Sequence, residues 1–125
     1  MALNFLKNIF GGESDVAVAD TTANSARRNE NLSGRAFKKE WQETPGAVLL
    51  DVRTAGEFAS GTIPGALNID FLSPTFGKKA SELDKNVTYF LFCRSGNRSG
   101  QACRLMYQQG FDVRNLSGGI GEFPF

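Results

Sequence analysis

Cys93 is preceded by the apolar stretch Val87-Thr88-Tyr89-Phe90-Leu91-Phe92 and followed by Arg94, Ser95, Gly96, Asn97, Arg98 and Ser99. That order puts a thiol at the end of a buried strand, in a short loop with a helix starting just behind it. Gly96 lets the loop turn its backbone amides toward one centre, and the helix N-terminus adds the positive end of its dipole. Arg94 and Arg98 flank the loop with fixed positive charge; the sequence leaves open which of them points inward. Ser99 stands where its hydroxyl can cap the helix. A free thiol titrates near pH 8.5, and surroundings of this kind lower that by about one to several units. The chemistry to expect is nucleophilic attack by a Cys93 thiolate, with Arg94, Ser95, Gly96, Asn97, Arg98 and Ser99 binding an anionic substrate.

The rest of the composition narrows the options. Histidine is absent from the 125 residues, which removes the cysteine–histidine and serine–histidine pairs that many hydrolases use. Cys93 and Cys103 are the only cysteines, too few for a four-ligand structural zinc site or a disulfide framework, so a reducing, cytoplasmic setting is expected. Cys103 lies on a helix face shared with Met106 and Tyr107 and reads as core filler. Fourteen basic residues against 13 acidic ones argue against a general nucleic-acid or anionic-membrane binder. No stretch approaches the roughly 18 apolar residues of a membrane span, and the Met1 to Phe10 segment lacks the basic start of a secretory signal. No metal or cofactor is called for.

These side chains need elements to hold them. Residues 1–31 read as a flexible arm: after a frayed tail from Met1 to Phe10, Gly, Ser, Thr, Asn, Asp and Ala follow one another without a sustained period. The domain is expected over residues 32–125. Ser33 can cap a helix over Gly34 to Gln42, with Ala36, Phe37 and Trp41 on one face. Ala47 to Leu50 is a short apolar run of the kind covered on both faces, and a short helix near Ala55 to Ala59 follows. Ala66 to Ile69 reads as a second strand, Phe71 to Lys79 as irregular, and Ser81 to Asp84 as one helical turn at most. Val87 to Phe92 is the third strand, Ser99 to Gln109 a helix, and Asp112 to Leu116 a fourth strand. Strands alternating with helices imply parallel pairing and right-handed crossovers, hence an α/β fold.

Ligands of such sheets bind beyond the carboxyl ends of the strands, a rule that gathers Asp51, Asp70, Cys93 and Ser117 on one edge. Asp51, Arg53 and Asp70 are therefore candidates to support the loop. Asp51, at a buried strand end, is expected to accept backbone bonds or pair with an arginine. Arg53 and Glu57, four apart around a turn, are most simply an ion pair.

From about Leu32 to Phe123 the chain resembles the rhodanese family, in particular its small single-domain sulfurtransferases. The resemblance lies in Asp51-Val52-Arg53 with Glu57-Phe58, in Gly61-Thr62-Ile63-Pro64-Gly65-Ala66 with Asn68-Ile69, in the Cys93 loop, and in Gly118-Gly119-Ile120. It implies a three-layer fold, with a mostly parallel sheet of four to five strands and helices on both faces. It also implies a Cys93 persulfide: sulfur arrives from thiosulfate or another persulfide donor and leaves to cyanide or a thiol, including a protein thiol. Thr62 stands where the family usually has histidine, and it is expected to bond a nearby backbone group instead. The family's C-terminal tryptophan region is reduced to Gly121-Glu122-Phe123-Pro124-Phe125, which leaves Phe123 to fill that packing site.

Two other functions share these features. A cysteine phosphatase or arsenate reductase also holds a thiolate in an amide cradle, but the phosphatase signature places arginine six residues after the cysteine, whereas Arg98 is five after. A non-catalytic rhodanese-like regulatory or binding module is the other, although such modules commonly lose the cysteine that this chain keeps.

Overall fold

The computed structural model describes residues 27–125. Their strands are β1 (Asn29–Leu32), β2 (Val48–Asp51), β3 (Leu67–Asn68), β4 (Thr88–Phe92) and β5 (Asp112–Leu116). The helices are α1 (Gly34–Glu43), α2 (Ala55–Ala59), α3 (Phe76–Ser81) and α4 (Asn97–Gln108), followed by a 3₁₀ turn at Ile120–Glu122. The strands form one sheet in the order β1-β5-β4-β2-β3, with every pairing parallel. The fold is α/β, as the alternating pattern predicts.

Alternation along the strands divides the sheet's apolar side chains between two faces. Leu50, Tyr89, Leu91 and Val113 pack with Phe76 and Ala80 of α3 and with Ala102, Cys103 and Met106 of α4. Leu49, Phe90, Phe92 and Leu116 pack with Phe37 of α1, Ile63 and Phe123. Period-2 strands between helical layers sort the residues this way, because successive side chains point to opposite faces. Phe37 meets Phe90 edge-on at 5.4 Å. Ser33 caps α1 as expected, its Oγ accepting the Ala36 amide at 3.3 Å.

Three expectations need correction. The arm assigned to residues 1–31 runs too far, because the sheet begins at Asn29. Strand β1 pairs residue for residue with Val113 to Leu116 of β5. Asn-Glu-Asn-Leu has little strand propensity, and the strand is fixed instead by tertiary bonds. The Arg28 amide donates to Asp112 Oδ1 at 2.8 Å, the Val113 amide donates to the Arg28 carbonyl at 2.8 Å, and buried Arg114 pairs with Glu40 and Asp112. Residues 1–26, including the Met1 to Phe10 tail, lie outside the described residues.

Second, the segment read as irregular contains α3. Its six residues carry one apolar pair four apart, the buried Phe76 and Ala80, too short a signal for periodicity to register. Third, α4 begins two residues early, at Asn97, with Gly96 rather than a capping side chain at its N-cap. This last difference shapes the site.

Candidate active site

Strand β4 delivers Cys93 to the carboxyl edge of the sheet, where its side chain is fully buried. Three donors converge on its sulfur: the Gly96 amide at 3.1 Å, the Ser99 amide at 3.4 Å and the Ser99 hydroxyl at 3.3 Å. Ser99 thus does not cap the helix. Its buried hydroxyl turns inward to the sulfur, because Asn97 and Arg98 already form the first turn of α4. Burial pushes the Cys93 thiol up, but the bonds from the Ser99 hydroxyl and from the Ser99, Ser95 and Gly96 amides outweigh it, so the thiol titrates below its ordinary range. Cys103, by contrast, is buried in the core without such donors and is pushed up to about 12. It is a packing residue.

The loop keeps this shape because it is wedged against the end of β5. Gly96 has φ +93°, and a Cβ there would lie 2.1 Å from the Ser117 carbonyl oxygen. Gly119, with φ +82°, comes equally close to the Arg94 carbonyl, and the Ile120 amide donates to the Cys93 carbonyl at 2.9 Å. Both glycines are required by close backbone approach as well as by the left-handed conformation. The C-terminal turn therefore fastens the strand end from which the thiol projects.

The charged groups pair differently from the expectation. Arg53 does not pair with Glu57; it binds Asp51, its Nη2 at 2.7 Å and its Nε at 3.0 and 3.1 Å from the two carboxylate oxygens. Asp51 is fully buried and also accepts the Arg53 amide at 2.9 Å and the Thr62 hydroxyl at 2.9 Å. Thr62 thus serves a carboxylate rather than a backbone group, because its side chain reaches the strand end directly. Asn68, which sequence reasoning did not single out for the site, clamps the same corner by donating to the Asp51 and Arg53 carbonyls at 2.9 Å each.

Glu57 turns to Arg98, with Nη1–Oε1 at 2.9 Å and Nη2–Oε2 at 3.2 Å. Thr54 holds it there: the Thr54 amide and hydroxyl both donate to Oε1, while the Glu57 amide donates to Thr54 Oγ1. This is a capping box, legible in the sequence as Thr54-x-x-Glu57. Arg98 and then the Thr54 amide bring the Glu57 carboxyl down to about 2. Arg98 is held above its ordinary range first by Glu57, with smaller attractions from Cys93 and Asp70. Asp70 turns the chain after β3, accepting the Leu72 amide at 2.9 Å.

Arg94, Ser95 and Asn97 are exposed at the mouth of the loop. Among the described residues Arg94 has no ion-pair partner, so its charge faces solvent while that of Arg98 is matched by Glu57. The arrangement is a buried thiol on which backbone amides and a hydroxyl converge, with an exposed cation at the entrance.

Residues 35–123 match the family model described as the rhodanese-like domain. A sulfurtransferase of Allochromatium vinosum is 38% identical over 91 residues, a match spanning 71% of this chain and 82% of the relative. The thiosulfate sulfurtransferase GlpE of Pseudomonas fluorescens is 37% identical over 76 residues, covering 60% of this chain and 68% of the relative. Among solved structures, the human single-domain sulfurtransferase TSTD1 superposes with a TM-score of 0.61 at 28% identity, over 74% of this chain and 92% of that one.

Proposed function

This chain belongs to the rhodanese-like domain family, and from that premise we propose that it is a sulfurtransferase working through a Cys93 persulfide. The Cys93 thiolate attacks the outer sulfur of thiosulfate, or the terminal sulfur of another persulfide. With thiosulfate the donor's S–S bond breaks, its electron pair leaves with sulfite, and Cys93 retains one added sulfur. A thiophilic acceptor then takes that sulfur, cyanide leaving as thiocyanate and a small or protein thiolate as its persulfide, and the Cys93 thiolate returns. No redox partner is required by this balance.

The observation that carries this reading is the convergence of the Gly96 amide, the Ser99 amide and the Ser99 hydroxyl on one sulfur atom. Preorganised donors stabilise charge where it develops, at no cost in reorganisation. As the added sulfur takes up negative charge, the Ser95 and Gly96 amides and the rest of the ring are the donors available to it. Exposed Arg94 fits a docking role for an anionic donor, and Arg98 supports the ring electrostatically. Pairing with Glu57 weighs against phosphate chemistry, because it occupies the arginine that a phosphatase would turn onto its substrate. The two free cysteines, both buried, suit the reducing environment of the cytoplasm.

Mass spectrometry tests the reading. Protein incubated with thiosulfate is expected to gain one sulfur atom on the Cys93 peptide, and cyanide is expected to remove it with release of thiocyanate. A wild-type protein that gains nothing, or a Cys93→Ser variant that gains as much, would sink the proposal. Cys93-dependent hydrolysis of an aryl phosphate would instead establish the phosphatase alternative.

A further inference from the structure

A concavity of about 350 Å³ lies between β1 and α4, lined by Asn29, Asn31, Asn97, Gly100, Gln101 and Arg104. Its lining comprises four carboxamides and one guanidinium, with no acid and no large apolar side chain. A carboxamide carries a donor and an acceptor, the complement of a peptide group, and a guanidinium complements a carboxylate. Asn97 Oδ1 accepts from Gln101 Nε2 at 2.7 Å, and among the described residues the other atoms of the two amides, one donor and one acceptor, have no partner.

Behind the groove wall lies a buried carboxamide, Asn115, that is outside the lining itself. Asn115 is 2% exposed, and its Oδ1 has no hydrogen-bond partner among the described residues. Its Nδ2 donates to Asn31 Oδ1 at 2.8 Å and to the Gly96 carbonyl at 3.3 Å. A Cβ at Gly100 would crowd that nitrogen at 3.3 Å, so the carboxamide meets the groove wall where the side chain is missing. Asn115 thus links the groove to Gly96, whose amide donates to the Cys93 sulfur.

We propose that this groove is the acceptor subsite and takes an extended, cysteine-bearing peptide with a free carboxylate, an inference that rests on the sulfur-transfer reading above. The carboxylate binds Arg104, the peptide groups bind the carboxamides, and the thiol lies at the Asn97 end beside the loop. Asn97 and Arg104 are about 10 Å apart along α4, the span of roughly three extended residues. In the transfer step the peptide thiolate attacks the outer sulfur of the Cys93 persulfide. That S–S bond breaks, Cys93 leaves as the thiolate, and the peptide departs as a persulfide.

The test uses N-acetyl-Cys-Gly-Gly, its S-methyl derivative and its C-terminal amide. The S-methyl peptide, which cannot react, is expected to shift the side-chain amide NMR signals of Asn31, Gln101 and Asn115, and to lose that effect with Arg104→Glu or with the C-terminal amide. Absence of these shifts, or their survival in Arg104→Glu, overturns the proposal. In turnover with thiosulfate, Arg104→Glu should lower the ratio of peptide to cyanide kcat/KM about tenfold, as loss of a charge-assisted bond requires. An unchanged ratio also overturns it. The same tripeptide closing a longer chain, compared with the free one, separates a protein acceptor from a small one. Peptide shifts in a protein that forms no Cys93 adduct would leave the groove standing as a peptide site and remove the sulfur-transfer reading instead.

Discussion

At Cys93 two opposed effects act on one proton: burial favours the neutral thiol, and the Ser99 hydroxyl with the surrounding backbone amides favours the thiolate. The donors win, so the folded protein holds this proton more weakly than the unfolded chain does. The linked stability is therefore present above the ordinary thiol range near 8.5 and is lost as pH falls through the lowered value. Ser99→Ala removes the strongest of the donors and leaves burial in place. A hydrogen bond to a charged group contributes about 1.5–3 kcal/mol, so the pH midpoint of Cys93 alkylation should rise by about one to two units. An unmoved midpoint would show that the backbone amides alone hold the charge. The cysteine at a strand end and the turn of backbone amides after it were readable from residue types at fixed spacing. The role of Ser99 was not, because a hydroxyl three residues into the helix or at its cap depends on where the helix begins.

The same limit governs the elements. Strands β2 and β4 and helices α1 and α4 announce themselves through apolar runs and periodicity, and β4 and α4 flank the Cys93 loop. Strand β1 carries no such signal, since the bonds of Arg28 to Asp112 and of Arg114 to Glu40 fix it through partners remote in sequence. Arg53 and Glu57 were read as neighbours on one turn, yet each found a partner on the strand edge or in the loop, a choice made by the tertiary fold. Where two elements must touch through backbone, substitution should be least tolerated. In Gly96→Ala the new methyl group would meet the Ser117 carbonyl at 2.1 Å and the residue would keep a φ that alanine rarely adopts. Strain and overpacking together should cost about 2–4 kcal/mol in urea unfolding and should push the Gly96 amide off the sulfur. Loss of both stability and persulfide formation is the expected result; full activity would mean that the loop can re-form without this contact.

For the molecule as a whole, the site lies where the sheet's two cores meet. Cys93 belongs to the α3–α4 side, while the turn that fastens its carbonyl belongs to the α1 side and ends in Phe123. Phe123 is 7% exposed and packs against Phe37 and Trp41, both with ring centroids at 6.3 Å, and against Phe125 at 5.1 Å. The sequence could not show that the Ile120 amide, three residues earlier in this turn, also holds the Cys93 carbonyl. Phe123→Ala should therefore act at both levels. Loss of a buried aromatic costs about 3–5 kcal/mol, a large part of the 5–15 kcal/mol that holds a domain of this size, and thermal unfolding should show it. If the turn also steadies the loop, amide exchange at Ile120 should quicken and persulfide formation should fall by more than the unfolded fraction accounts for. A variant that is less stable yet forms the persulfide at the wild-type rate when folded would confine Phe123 to the core and leave the loop supported by Gly96 and Gly119 alone.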